Sequence, residues 1–246
     1  MLDIMKKQMI MGVGITDATE EEISKYIFKG LKEKGEKLII ITPNPEILVY
    51  ATKHPEYKLK LNKADVALPD GVGVFLAGLL VGKPFKERIP GVDFIEELCR
   101  NSAKNPVSMG FLGGRGGVAK RTAERLQEKY PWIDVVFIGE DWFDKDKNTH
   151  YGAKKTIDIL FVAFGFPKQE EWIFDHLEDL PVKAAMGVGG SFDYISGDVV
   201  RAPFIIRAMG LEWLFRLVRQ PWRIKRQLAL VEFMFLIVKE VVKSSL

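Results

Sequence analysis

The chain has 246 residues, 47% hydrophobic and 28% charged, with a net charge of only +3. These values exclude a disordered or fibrous chain and suit one large α/β domain, or a core domain with an appendage. The charge is uneven: residues 201–246 carry nine Lys and Arg against three Glu, a net +6, which leaves −3 for residues 1–200. Such a segment calls for an anionic partner, and nucleic acid, an anionic membrane surface or a phosphorylated substrate would each fit.

In chain order, the opening "MLDIMKKQMIMGVGITDATEEE" has too short an apolar part for a signal peptide and turns acidic at once. "KLIIITPNP" then predicts a strand ending in a loop, and "EILVYATKHPEYKLKLNKA" one or two helices. "DVALPDG" is a second strand running into a loop, followed by the apolar helix "VGVFLAGLLVG". Cys99, the only cysteine, falls in the helical pattern "DFIEELCRNSA" and is expected in the core; a single cysteine excludes internal disulfides and Cys-based metal clusters. "PVSMGFLGGRGG" reads as a strand entering a glycine loop, and "VAKRTAERLQEKYP" as an amphipathic helix closed by Pro131. "IDVVFIGED", "IDILFVAFGFP" and "VKAAMGVGG" are three further strands. Their apolar runs are continuous rather than alternating, the mark of strands covered on both faces. The expected fold is a Rossmann-like, mostly parallel sheet with helices on both faces, spanning residues 1–200. Residues 201–246 are expected to form a basic, amphipathic helical appendage. Its longest apolar stretch, "LALVEFMFLIV", is interrupted by Glu232 and falls short of the ~20 residues of a spanning helix, so a cytoplasmic location is expected.

In a doubly wound sheet, ligands bind at the carboxyl ends of the strands. Five polar or glycine-rich loops lie there: "TPNP", "LPDG", "GFLGGRGG", "GFPKQEEW" and "GVGGSFD". Gly113 and Gly114 let backbone amides approach a phosphate at the next helix N-terminus, with Arg115 as an added charge; a plain βα turn would look similar. Gly189 and Gly190 form a second cradle, with Asp193 placed for a ribose or uracil contact. Glu140 and Asp141, at the end of another strand, are weaker ribose candidates. Asp70 is either a general base for a substrate hydroxyl or a cap on the helix starting near Gly71. Thr42 and Asn44 flank Pro43 in a rigid polar turn suited to sugar hydroxyls. Lys168 and Gln169 are presented by a stiff Gly-Phe-Pro lead.

The G-x-G-x-x-G spacing and the P-loop lysine motif are both missing, which disfavours nicotinamide cofactors and ATP. Asp144 and Asp146 could hold a metal with a sugar diphosphate, but their stretch is polar and follows no strand directly. His54, His150 and His176 show no zinc spacing. The acidic first 200 residues argue against nucleic acid as the partner.

Taken together, "TPNPEI", "LPDGVGV", "ERIPGVDF", "GFLGG", "GFPKQEEW", "GVGGSFDYISGDVVRAP", "GLEWLFRL" and "PWRIKRQ" resemble the WecG/TagA/CpsF family, glycosyltransferase family 26, across nearly the whole chain. The resemblance implies inverting transfer of a sugar from a UDP-sugar to an undecaprenyl-diphosphate-linked sugar, with no metal and no cofactor. In the type reaction N-acetylmannosamine is added to lipid-linked N-acetylglucosamine on the way to wall teichoic acid. It makes Asp70 the base, places Thr42, Asn44, Arg88 and Gln169 around the sugars, and matches Arg216, Arg223 and Arg226 to the family's C-terminal arginines. Relatives also use UDP-N-acetylmannosaminuronate, UDP-glucose or UDP-glucuronate, and no residue here decides the donor. A non-catalytic nucleotide-sugar-binding module at a membrane is the more distant alternative. Arg216, Arg219, Arg223 and Arg226 follow spacings of three, four and three, which predicts one helical face over the active site unless Pro221 breaks it. With Trp213, Phe215, Leu217 and Trp222 on other faces, the segment is expected to be a lid that docks on the inner face of the cell membrane, the alternative being a helix pair packed on the core with surface arginines. Oligomeric state is not readable from the sequence.

Overall fold

The computed structural model describes residues 5–33, 37–143, 148–151 and 156–244; the side chains of 148–151, 225–227 and 243–244 lie outside that description. A hairpin of β1 (Lys7–Ile10) and β2 (Val13–Thr16) leads into α1 (Glu20–Gly30), β3 (Leu38–Ile41), α2 (Pro45–Lys53), α3 (Pro55–Asn62) and β4 (Val66–Ala67). Next come α4 (Val72–Leu80), α5 (Gly91–Asn101), β5 (Ser108–Gly113), α6 (Val118–Lys129), β6 (Asp134–Gly139) and β7 (Asn148–Tyr151). The chain continues through β8 (Ile157–Ala163), α7 (Lys168–His176), β9 (Val182–Gly187) and α8 (Ser191–Ile195). It ends with α9 (Phe204–Ala208), α10 (Glu212–Arg219) and α11 (Ile224–Ser244).

The main sheet has the order β4-β3-β9-β8-β5-β6-β7, parallel throughout except for β7, which runs antiparallel to β6 at the edge. The six expected strands form its parallel part. Alternate residues of each strand serve opposite faces. Ile159 and Phe161 pack under α1, α5 and α6 with Ile27, Phe94 and Ala123, while Leu160 and Val162 pack under α7 with Ile173. Helices α2, α3, α4 and α11 and the β1–β2 hairpin cover the β3–β4 end of the second face.

Two strand features escaped the sequence reading. The β1–β2 hairpin turns through Met11 and Gly12, both with positive φ (51° and 79°), and a methionine there gives no turn signal. Strand β7 lies in the polar stretch after β6, where the sequence gives no strand signal; Asp144 and Asp146 lie outside the described residues. Cys99 is buried, with Sγ 3.8 Å from Met109 Sδ, and burial pushes its thiol up to about 12.

The four C-terminal arginines do not share one helical face. Helix α10 ends at Arg219, Pro221–Arg223 form a single 3-10 turn, and α11 begins at Ile224. Proline lacks the N–H that would continue α10, so Arg216 and Arg219 stand on one helix, Arg223 in the turn and Arg226 on the next. The segment also packs on the body: Phe233 and Ile237 of α11 are fully buried against Ile47, Leu48, Val74 and Ala77.

Candidate active site

The carboxyl ends of β4, β3 and β9 converge on the first turn of α5. Asp70 follows β4, and it is not a helix cap: Gly71 is the N-cap of α4, φ 84°, with no side-chain cap bond. Its carboxylate takes a backbone hydrogen bond from Gly91 instead. A Cβ on Gly91 would stand 3.1 Å from Thr42 Cγ2, 3.5 Å from Ser191 Oγ and 3.8 Å from Asp70 Oδ2, so the bare glycine lets three loops meet. Thr42 is buried and donates to the Gly187 carbonyl at 3.1 Å. Asn44 caps α2, its Oδ1 accepting from Ile47 N–H at 3.1 Å, so turn chemistry accounts for that oxygen.

Burial pushes the Asp70 carboxyl up to about 7; the negative charge of Glu212 on α10 adds to the rise, and Arg88 opposes it. Arg88 is held in turn by donating to the Arg207 carbonyl at 3.3 Å. A carboxylate with a proton affinity near neutrality is suited to accept a proton from a hydroxyl and hold it briefly.

The other wall belongs to the C-terminal segment. Arg216 donates to Asp193 Oδ2 at 3.1 Å and stacks over the Tyr194 ring at 4.6 Å. A Cβ on Gly190 would lie only 2.9 Å from Arg216 Nη1, so the glycine cradle and the arginine are in direct contact. Arg223 approaches Gln220 Oε1 at 3.5 Å. Arg201 makes a bidentate pair with Asp93 at 2.5 and 2.7 Å and reaches Glu212 at 3.3 Å, tying α5 to α10. Asp70 and Ser191 thus both border Gly91, and Arg216 meets Gly190, the residue before Ser191. The side chain of Arg226 lies outside the described residues.

Two sequence candidates fall elsewhere, and a third lies beneath the site rather than in it. Gly113 and Gly114 sit at the end of β5, separated from β9 by β8, and packing explains them: a Cβ on Gly113 would meet the Ala163 backbone at 2.8 Å, and one on Gly114 would meet Val118 Cβ at 2.9 Å. The α6 N-terminus expected to receive a phosphate already binds a carboxylate, Glu140 Oε1 accepting from Gly117 N–H at 2.8 Å. Gln169 is 2% exposed and lies beneath the β9 loop, its Oε1 accepting from Gly189 N–H at 2.9 Å. Sequence reasoning passed over Gly91, Ser191, Tyr194, Arg201 and Glu212, whose importance comes from contacts between distant segments.

A cavity of about 780 Å³ opens at the opposite, amino-terminal edge of the sheet. Two of its lysines are already committed to the protein. Lys37 donates to the Leu177, Glu178 and Leu180 carbonyls, and Lys183 pairs with Asp158 at 2.7 Å. Among the described residues no three His, Cys, Asp or Glu side chains gather into a metal-ligating group.

The model of the glycosyl transferase WecG/TagA/CpsF family matches residues 8–246. The chain belongs to that family. It is thereby a glycosyltransferase, as the resemblance implied. A Staphylococcus aureus protein is 35% identical over 233 residues, covering 94% of this chain and 91% of its own length. Proteins of Bacillus spizizenii (34% over 208 residues; 84% and 81% covered) and Bacillus subtilis (30% over 237; 96% and 93% covered) are similar over most of their lengths. All three bear the name N-acetylglucosaminyldiphosphoundecaprenol N-acetyl-beta-D-mannosaminyltransferase.

Proposed function

We propose that this glycosyltransferase moves N-acetylmannosamine from UDP-N-acetylmannosamine to undecaprenyl-diphosphate-linked N-acetylglucosamine, inverting the anomeric carbon without a metal. The names of the relatives support the transferred sugar and the acceptor. The observation that carries the mechanism is Asp70, a carboxyl pushed up to about 7 beside Gly91, which Ser191 also borders, one residue beyond the Gly190 that meets Arg216.

Asp70 takes the proton of the acceptor hydroxyl as its oxygen attacks the anomeric carbon. The bond from that carbon to the UDP oxygen breaks on the opposite face, so the configuration inverts. Charge then grows on the departing diphosphate, and Arg216, Arg223 and Arg226 supply positive charge where a metal would otherwise stand. Gly189, Gly190 and Asp193 receive the nucleotide end, and Thr42, Asn44 and Arg88 lie toward the sugars.

The acceptor is a lipid, and the C-terminal segment suits a lipid surface. Helix α11 is apolar on two faces. Phe233 and Ile237 pack inward, while Leu228, Val231, Phe235, Val238 and Val242, spaced three or four apart, stand 54–71% exposed. Phe204, Ile205, Met209, Val218 and Trp222, earlier in the same segment, are also exposed. No helix among the described residues is long and apolar enough to cross a membrane. Apolar side chains amid arginines suit a segment lying in an anionic interface, which supports a peripheral location on the cytoplasmic face of the membrane.

The test is UDP release in EDTA from a panel of UDP-sugars, with a short-chain lipid-diphosphate N-acetylglucosamine acceptor. Acceptor-dependent release from UDP-N-acetylmannosamine is expected. Release from UDP-glucose, UDP-glucuronate or the N-acetylmannosamine uronate alone would correct the donor. Silence with every donor would reduce the protein to a nucleotide-sugar-binding module.

A further inference from the structure

The Gly187–Gly190 loop rests on a buried polar chain that the transfer chemistry leaves unused. Tyr57 of α3 is 2% exposed, and its hydroxyl donates to Glu170 Oε2 at 3.1 Å. Glu170 of α7 is fully buried and accepts with Oε1 from Gln169 Nε2 at 2.7 Å. Gln169 Oε1 in turn takes the Gly189 N–H. The loop fits closely over this chain: a Cβ on Gly187 would stand 3.1 Å from Gln169 Nε2 and 3.4 Å from Glu170 Oε1. Tyr57 also packs edge-on against Phe166, which leads the chain into α7.

A carboxyl in such a place needs a reason. Glu170 is met by the Gln169 amide, its own backbone N–H, the Tyr57 hydroxyl and the like charge of Glu171, with no cation among them, and burial pushes its carboxyl up to about 7, so an apolar environment without a cation makes this carboxyl costly. An apolar side chain would fill the same space at less cost. What it would not do is distinguish the two ends of an amide. With both oxygens accepting, Glu170 requires N–H from Gln169 and so turns the amide oxygen toward Gly189. In the flipped amide, oxygen would face carboxylate oxygen and NH₂ would face the Gly189 N–H, two unfavourable contacts at once.

We propose that Glu170 is a positioning residue of the transfer site: with Tyr57 it fixes the polarity of the Gln169 amide, which pins the Gly189 peptide and sets the loop that meets the UDP end of the donor. This rests on the donor site assigned above. Glu170 touches no substrate and acts through Gln169 and Gly189 alone.

The test pairs Glu170→Leu with Glu170→Gln, and adds Tyr57→Phe. Leucine fills the space but leaves the amide undirected. Glutamine can still accept from Gln169 with its oxygen and offer NH₂ to the tyrosine oxygen. Two readouts are taken on folded protein: amide hydrogen exchange of the peptide containing Gly189, and UDP affinity by calorimetry beside donor KM and kcat. Glu170→Leu is expected to speed exchange at Gly189 and to weaken UDP binding and raise donor KM by about tenfold, with a smaller change in kcat. Glu170→Gln should restore most of both, and Tyr57→Phe should fall between. A purely structural role would lower the melting temperature of Glu170→Leu while leaving the KM of the folded enzyme unchanged, and that result overturns the proposal. Unchanged exchange at Gly189 overturns it as well. Failure of the wild type to bind UDP would count against the donor-site reading, and the exchange measurement would still decide the role of Glu170.

Discussion

At the scale of single residues, Asp70 shows what a short motif does and does not reveal. "LPDG" placed a carboxylate after a strand and left base and helix cap both open. The structure removes the cap, because α4 begins at Gly71 without a side-chain bond. The raised proton affinity has a consequence for stability. Between the ordinary carboxylate range and about pH 7, the folded state holds a proton at Asp70 that the unfolded chain has lost, so this group's contribution to stability falls as pH rises through that window and stays flat above it. Asp70→Asn removes the penalty. Thermal melts should show the variant more stable than wild type by roughly 1 kcal/mol at pH 8, and no more stable at pH 4; that is less than the full linkage value, because the carboxyl is only partly shielded from solvent. An equal shift at both pH values would mean that the carboxyl is not held near 7. Glu170 was not legible in the same way. Within "KQEEW" it is one of two adjacent glutamates at a helix start, and only the fold shows that one of them is buried against Tyr57.

At the scale of elements, apolar runs identified the six parallel strands because a strand covered on both faces has little freedom in composition. The hairpin and β7 were harder to see: one turns through methionine, and the other is an edge strand in a polar stretch. The glycine loops illustrate a second limit. "GFLGG" and "GVGG" look alike as phosphate cradles, yet Gly113 and Gly114 answer to packing while Gly190 touches an arginine. Gly113→Ala places a Cβ 2.8 Å from the Ala163 backbone at φ +98°, and denaturant melts should show a loss of about 2 kcal/mol or more. Arg201 holds α10 to α5 through Asp93 and Glu212. Arg201→Ala removes the cation that Asp93 and Glu212 share, leaving Asp93 only its longer pair with Arg207 at 3.9 Å, and should cost about 1–2 kcal/mol, with faster hydrogen exchange in α10 than in α6. Uniform exchange across both helices would show that the pair does not anchor the segment.

At the scale of the whole molecule, the charge asymmetry read from composition corresponds to a C-terminal segment that both walls the site and carries an uncovered apolar face. The arginine spacing predicted a shared surface that the structure does not have, because Pro221 divides the arginines among a helix, a turn and a second helix. On this account Trp222→Glu together with Phe235→Glu should reduce co-sedimentation with phosphatidylglycerol vesicles at least tenfold. The fold should be unchanged, since both side chains are about 70% exposed. Undiminished vesicle binding would place the membrane contact elsewhere.

The most direct test of the central claim is the pH dependence of kcat/KM for acceptor-dependent UDP release in EDTA, for wild type beside Asp70→Asn and Arg223→Ala. A base titrating near 7 predicts a wild-type rate that climbs with pH and levels off above that point. Asp70→Asn should lose at least about a hundredfold and the pH limb with it, while still binding UDP. Arg223→Ala should keep the limb and lose rate through weaker stabilisation of the leaving diphosphate. An Asp70→Asn enzyme that retains both its rate and its pH limb would contradict the account, because the proton would then be going to another group.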